Sequence, residues 1–266
     1  MDEKRLQEAL EGLPFSKIAY FDQVGSTNDV VGEWANGGAE GMCLAVANEQ
    51  TKGRGRAGRS WHTPPGSALA FSVLVPGMPV REVEDLGLAS GLGALAVAEA
   101  VEALLGAKTE IKWPNDVLVR GKKFCGVLAE AHWSGARLQA LILGIGINIA
   151  RNSVPPEADL TFPATSLEAA IGEPVDRLAV LSATLERLVG WIERLETPDF
   201  IAAWERRLAF RGQAVQLQGV EEQAIEGRIL GLGPKGKLRL DIGGGETQSF
   251  RVGEIGPLRV RPTESN

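Results

Sequence analysis

Seven short segments between residues 18 and 148 carry apolar and β-branched patterns of strand length: 18–23, 43–48, 68–75, 109–113, 116–120, 124–132 and 138–148. Helical patterns interrupt them but do not alternate with them one for one. The segments at 116–120 and 124–132 stand as close as the arms of a hairpin. A doubly wound parallel sheet needs a crossover between successive strands, and here there is no room for one. The chain is therefore expected to be α+β, with a mixed or antiparallel sheet. Long helices are expected over 82–106 and 176–195, where apolar residues recur every three or four positions. A shorter helix should start at Ser26, with its hydroxyl as cap, and another should cover 198–210.

After Phe210 the texture changes. Five short strand-like segments, 214–217, 224–230, 237–241, 247–252 and 257–260, are separated by glycine-rich turns such as GLGPKGK and GGGE. They read as a small barrel. The expected division is a large domain over 1–210 and a small one over 211–266. Residues 211–266 hold 8 Lys/Arg against 7 Asp/Glu, and the whole chain carries a net charge of −6, so neither part looks like a general nucleic-acid binder. Two cysteines and two histidines offer neither a disulfide framework nor a metal-ligand spacing. The charged N-terminus lacks the pattern of a secretory signal. The longest uncharged apolar run, 138–150, is short of the roughly 20 residues a membrane span needs. A cytoplasmic protein without a membrane partner is expected.

Two glycine patterns mislead. Gly53-Arg-Gly-Arg-Ala-Gly58 fits G-x-G-x-x-G, but that fingerprint must open a helix, and Pro64-Pro65 follow closely. Gly231 to Leu238 is one residue short of a phosphate-binding loop, and the next segment alternates like a strand. A hairpin turn is the better reading there.

The segment Lys52 to Arg59 packs Lys52, Arg54, Arg56 and Arg59 among three glycines, and no Asp or Glu occurs from Gln50 to Arg81. Glycine lets backbone N–H groups approach an anion, and arginine supplies a planar fork of donors that matches phosphate or carboxylate. Such a loop is expected to be mobile when empty and to close on an anionic ligand; a solvated surface loop is the alternative. Trp61 beside it is either a core anchor or a wall for a flat ring. Lys112-Trp-Pro-Asn-Asp116 ends one strand and begins another. Its lysine either meets a negative ligand or pairs with a nearby acid such as Glu110. Gly144 and Gly146 place small residues in an apolar strand, for a ligand or for sheet packing.

These motifs, with Lys123-Phe-Cys-Gly126, Val24-Gly-Ser-Thr-Asn28 and Gly144-Ile-Gly-Ile-Asn148, occur in the order seen in biotin–protein ligases, which the chain resembles over residues about 15 to 150. The resemblance implies a mixed-sheet catalytic domain of the class II aminoacyl-tRNA synthetase/biotin ligase type with a C-terminal SH3-like barrel. It implies two reactions: the carboxylate of biotin attacks the α-phosphate of magnesium-bound ATP, and a lysine of a biotin carboxyl carrier domain then takes biotin from the adenylate. Carried over, Ser26, Thr27 and Gln50 would bind the ureido ring, with Asn28 in the same segment. Arg54, Gly55 and Arg56 would border the biotin carboxylate and the phosphate. Arg59 and Trp61 would lie on the nucleotide side, and Asn115 and Asn148 would contact the adenylate. Lys112 and Arg56 would stabilise the charge building at the α-phosphoryl group, with Lys112 also reaching biotin. No protein-held metal is implied, and Asp116 is only a candidate base for the second step. Some members carry an N-terminal repressor domain; here about twenty residues precede the biotin segment, so no DNA reading is expected. The family also implies a homodimer joined through the sheet. Lipoate–protein ligase is the nearest alternative, although its Arg-Arg and triple-glycine signature is missing. A nucleic-acid clamp built from the Arg/Gly loop is the alternative of another class.

Overall fold

The computed structural model describes residues 1–76, 78, 85–134, 137–156, 160, 162–195, 197–219 and 224–257. Helix α1 (Glu3–Ala9) leads into β1 (Phe15–Phe21), α2 (Thr27–Asn36), β2 (Met42–Ala47) and β3 (Ala68–Val75). The long α3 (Leu86–Leu105) precedes the run β4 (Thr109–Lys112), β5 (Asp116–Val119), β6 (Lys122–Ser134) and β7 (Arg137–Asn148). Helices α4 (Leu167–Ile171), α5 (Arg177–Ile192) and α6 (Pro198–Arg206) follow. The chain then forms β8 (Ala214–Gln218), β9 (Ile225–Leu232), β10 (Leu238–Gly243), β11 (Glu246–Phe250) and β12 (Glu254–Pro257).

The first seven strands form one sheet in the order β1-β2-β3-β7-β6-β5-β4. Only β1 and β2 run parallel; every other neighbouring pair is antiparallel. The expected mixed sheet and the hairpin of β5 with β6 are both present. Strands β2 and β3 are buried at every position, as strands covered on both faces must be. Helix α3 packs on one face and against α5. Its Gly91 and Gly93 let Trp204 and Val127 approach where a methyl group would collide. By length and a mean hydropathy of 1.6, α3 could cross a membrane, but 72% of that window is buried inside the fold, as in a core helix. The expected helix at 82–106 is thus α3, with residues 82–84 outside the described set.

Strand period decides what the other face carries. Along β7, Leu141, Leu143, Ile145 and Ile147 enter the main core. Ala140 and Ile142 turn the opposite way, into a small cluster with Val31 of α2, Cys43, Ala45 and Leu74. Continuing on that second face come Gly144, Gly146 and Asn148. Register places Leu128 and Ser72 beside Gly144, and Gly126 and Ala70 beside Gly146. Past the apolar contacts of α2 this face carries glycines, on which Asn28 and Trp61 rest.

The remaining five strands form an antiparallel sheet in the order β11-β10-β9-β8-β12. The near phosphate-loop match is a single 3-10 turn, Pro234–Gly236, joining β9 to β10 as a hairpin. The last strand lies at Glu254–Pro257, where 257–260 was expected; residues 258–260 lie outside the described residues. One continuous core joins both sheets, from Leu6 and Phe71 through Trp113 and Trp204 to Leu217 and Leu240.

Candidate active site

A cavity of about 980 Å³ opens over the glycine floor, within the range of small-molecule sites. The Gln50–Ser67 segment forms one wall. It does not open a helix, so the dinucleotide reading fails. Isolated bridges pair Val24 with Gln50, Gln50 with Thr63 and Arg54 with Ser60. Gly53 must be glycine here, because a Cβ would press into the backbone carbonyl of Trp61.

The first turn of α2 forms the polar end. Ser26 stands at the N-cap position, yet its side chain makes no capping hydrogen bond, contrary to expectation. Gln50 takes over: its Oε1 accepts from Thr27 N at 2.8 Å and lies 3.1 Å from Thr27 Oγ1. An orphan helix donor is thereby satisfied from the loop. Asn28 lies on Gly144, where any Cβ would overlap its amide. Its Nδ2 donates to Glu130 Oε2 at 2.6 Å, and Ser72 Oγ lies 2.6 Å from its Oδ1.

The loop cations are not without acids. Distant elements supply what the neighbouring sequence lacks. Arg54 forms a two-point pair with Asp29 at 2.9 and 2.6 Å, with Glu130 at 3.7 Å. Arg59 forms another with Glu254 of β12 at 2.8 and 2.7 Å. Arg56 donates to Asn115 Oδ1 at 3.1 Å and to the Gly253 carbonyl at 3.3 Å. These partners offset the repulsion among the like charges of the loop, and the loop is pinned at several points. Hydrogen bonds to Asp29 and to Glu254 raise the pKa values of Arg54 and Arg59. Burial lowers that of Arg56.

Lys112 is buried at the end of β4, and Phe162 covers it, with Nζ 4.9 Å from the ring centre. Its partner is Asp116 at 3.3 Å, not Glu110. Lys123 Nζ approaches the other oxygen of Asp116 at 2.6 Å and lies 5.5 Å from the centre of the Trp61 ring. Burial pushes the Asp116 carboxyl upward, but the ammonium groups of Lys123 and Lys112 outweigh it and hold it below the usual carboxylate range. A carboxylate caged by two cations is a weak proton acceptor, which argues against Asp116 as a base. Its evident work is to aim the two lysines. Lys123 is among the residues that line the cavity, while Lys112 stands behind them.

Trp61 lies flat over the floor; a Cβ on Gly146 would overlap its indole, and one on Gly126 would crowd it. It is a wall, not a core anchor. Asn115 donates to the Val127 carbonyl at 2.9 Å and Asn148 to the Thr165 carbonyl at 3.2 Å. Both line the cavity with Ser26, Thr27, Asn28, Gln50 and the three arginines. All expected site residues thus converge, with Lys112 just behind the wall. Sequence reasoning gave no role to Lys123, Glu130 or Glu254. Among the described residues no group of three or more His, Cys, Asp or Glu side chains is placed to hold a metal ion.

Residues 20–148 match the profile of the Biotin/lipoate A/B protein ligase family. The biotin--[acetyl-CoA-carboxylase] ligase of Mycobacterium tuberculosis is 32% identical over 268 residues, covering 97% of this chain and 96% of that one. The bifunctional ligase/repressor BirA of Bacillus subtilis is 40% identical over 171 residues, and the match covers 63% of this chain. It spans only about half (51%) of that bifunctional relative. The biotin protein ligase of Aquifex aeolicus in complex with biotin and ATP superposes with a TM-score of 0.77 at 31% identity, covering 91% of this chain and 98% of the other. The chain belongs to the biotin protein ligase family.

Proposed function

We propose that this protein activates biotin with ATP, as its magnesium complex, and transfers it to a lysine of a biotin carboxyl carrier domain. The observation that carries the reading is the convergence of Arg54, Arg56, Arg59 and Lys123 on a cavity floored by Gly126, Gly144 and Gly146. Two anions must meet there, and fixed cations offset their repulsion. A carboxylate oxygen of biotin attacks the α-phosphorus, the bond to the bridging oxygen breaks, and pyrophosphate leaves with its electron pair. The acceptor amine then attacks the activated carbonyl, AMP departs, and the amine loses a proton. Lys123 and Arg56 meet the charge that builds on the α-phosphoryl group, while Lys112 acts through Asp116 as a positioning residue. Ser26, Thr27, Asn28 and Gln50 hold the ureido end, Arg54 and Gly55 border the carboxylate, and Arg59, Trp61, Asn115 and Asn148 take the nucleotide. A wall that excludes water protects the adenylate from hydrolysis.

Residues 1–210 form the proposed catalytic domain and 211–266 an SH3-like one. A cytoplasmic homodimer that does not read DNA completes the proposal. The outer edge of β1 supports sheet-to-sheet pairing, and the net charge of −6 speaks against DNA. Sedimentation and an operator-binding assay test these points. The decisive experiment is biotin-dependent exchange of pyrophosphate into ATP, followed by labelling of a carrier domain. Exchange driven by lipoate alone overturns the substrate assignment.

A further inference from the structure

The corner that completes the Gln50–Ser67 wall is short of backbone donors. Pro64 and Pro65 line the cavity, and neither carries an N–H. The Ser67 amide and hydroxyl turn back onto the Pro64 carbonyl, at 3.3 and 2.9 Å. That leaves the Gly66 amide, which donates to Asn48 Oδ1 at 3.1 Å. Asn48 directly follows β2, and Gly66 stands two residues before β3. This bond therefore ties the entry of the loop to its exit. Gln50, the three arginines and Trp61 all lie between the two.

Asn48 is itself held. Arg177, the first residue of α5, donates from Nη1 to Asn48 Oδ1 and to the Ala68 carbonyl, both at 3.1 Å. Nη1 carries two hydrogens, one for each oxygen. Two donors on Oδ1 settle which way the Asn48 amide faces. Its backbone is fixed as well, by the bond from Asn48 N to the Phe21 carbonyl at 2.9 Å. Both hydrogen bonds of Arg177 among the described residues go to neutral oxygens at the neck of the loop, and a cationic donor makes such bonds stronger. The guanidinium straddles the neck, from Asn48 after β2 to Ala68 at the start of β3. Neither Asn48 nor Arg177 is among the residues that line the cavity.

We propose that Asn48 and Arg177 are positioning residues that clasp the neck of the loop and hold the Pro64-Pro65 corner against the cavity, so that the adenylate stays bound until the acceptor amine arrives. The inference rests on the biotin and ATP reading above and deepens it. The adenylate must outlast the interval between the two reactions, and once released it reacts with one water to give biotin and AMP. Without the clasp the corner is bonded only to itself, and the wall opens there.

The test follows retention on the full chain. Protein is loaded with labelled biotin and ATP in the presence of pyrophosphatase, and loss of bound label is timed after transfer into unlabelled biotin. Asn48→Ala and Arg177→Met are expected to release label about fivefold to thirtyfold faster than wild type. They should consume more ATP per biotin transferred to a carrier domain, while pyrophosphate exchange at saturating biotin and ATP stays within about threefold of wild type. Asn48→Asp keeps the acceptor oxygens and should retain label as wild type does. The double variant should add little to the larger single effect. A general structural defect would lower pyrophosphate exchange along with retention and would not be rescued by Asp. Variants that hold label as long as wild type overturn the clasp, and so does Asn48→Asp protein as leaky as Asn48→Ala. Should Arg177→Met not fold, the two Asn48 variants decide. Wild-type protein that forms no adenylate overturns the function proposed above, and the clasp is then judged without ligand. Arg177→Met leaves the acceptor of Gly66 N in place, yet should quicken hydrogen exchange at that amide by about threefold or more; an unchanged rate overturns the clasp by itself.

Discussion

Replacing Glu254 by Gln removes a carboxylate that reaches from β12 into the wall of the cavity. It holds Arg59 through two bonds of 2.8 and 2.7 Å and lies 3.8 Å from Lys112. The two-point geometry makes this a strong pair for its class, but Arg59 and Glu254 side chains are 38% and 36% exposed. Solvent screening limits its worth to about 1–2 kcal/mol. That energy pins the loop, because Arg59 also donates from Nε to the Arg56 carbonyl and Gly55 N donates to the Arg59 carbonyl. Hydrogen exchange at Gly55 and Trp61, whose amides bond within the loop, should therefore quicken by roughly fivefold to thirtyfold in Glu254→Gln without ligand. Exchange at core amides of β3 should not change. In wild type the protection should fall in about 1 M salt, where the screening length is about 3 Å, and in the variant it should not.

The pH dependence has a definite sign. Burial raises the Glu254 pKa, and the hydrogen bonds from Arg59 and the charge of Lys112 lower it by more. A group depressed in the folded state adds stability above its unfolded pKa, and that contribution disappears as pH falls through the folded value. The latch should hold at neutral pH and loosen only below the ordinary carboxylate range. Loop protection that is the same in variant and wild type at every pH and salt concentration would refute the reasoning.

Three further outcomes follow from the site. Asp116→Ala leaves the ammonium of Lys112, 3% exposed, without its buried partner and should cost about 3–5 kcal/mol in denaturant unfolding. Lys123→Met should lower pyrophosphate exchange by about a hundredfold or more and should also lower the melting temperature, since it takes from the buried Asp116 its partner at 2.6 Å. Gly146→Ala forces a methyl group into the indole of Trp61. It should shift tryptophan emission and weaken biotin and ATP by about tenfold or more, read by titration calorimetry.

Much of this was legible in the chain. Alternation and length located the strands of the large sheet, and the hairpin spacing ruled out a doubly wound fold. The site could be read wherever side chains come from loops or helix starts, as with Gln50 and Thr27. Lys123 shows where reading by period stops. Strict alternation sets it on the face opposite Gly126. The register of β6 on β5 shifts between Val117 and Leu118, so that Val117 meets Cys125 and Leu118 meets Lys123. The extra residue leaves Phe124 and Cys125 both in the core and turns Lys123 to the cavity side; one irregularity reverses every assignment beyond it. Asp29, Glu130 and Glu254 were illegible for another reason. Ion pairs across 25 to 195 residues of separation depend on tertiary placement, to which local composition is blind. The acid-free run from Gln50 to Arg81 describes only the neighbouring sequence, while the acids that meet Arg54 and Arg59 come from α2, β6 and β12.

The boundary at 210/211 marks a change of texture, and the packing across it makes a different statement. Trp113, inside the KWPND motif, donates its Nε1 to the Gly236 carbonyl at 2.9 Å. Trp204 of α6 rests on Gly91 of α3 on one side and on Gly236 on the other, and a Cβ at either glycine would overlap it. Leu232 N donates to Glu205 Oε2 at 2.9 Å. Removing residues 211–266 would uncover Trp204 and Trp113, leave the Trp113 N–H without its acceptor, and strip Arg59 of Glu254. Exposing even one such tryptophan costs several kcal/mol, of the order of a Trp→Ala change at about 3–5 kcal/mol, against a total stability of about 5–15 kcal/mol. The full chain should therefore unfold in one cooperative transition, with tryptophan fluorescence and far-ultraviolet circular dichroism coincident. Residues 1–210 alone should be unstable or expose apolar surface to a dye. Two separated transitions, or a truncated chain that melts like the whole, would show that the small sheet is an appendage and that the carboxylate at Glu254 is dispensable to the fold it latches.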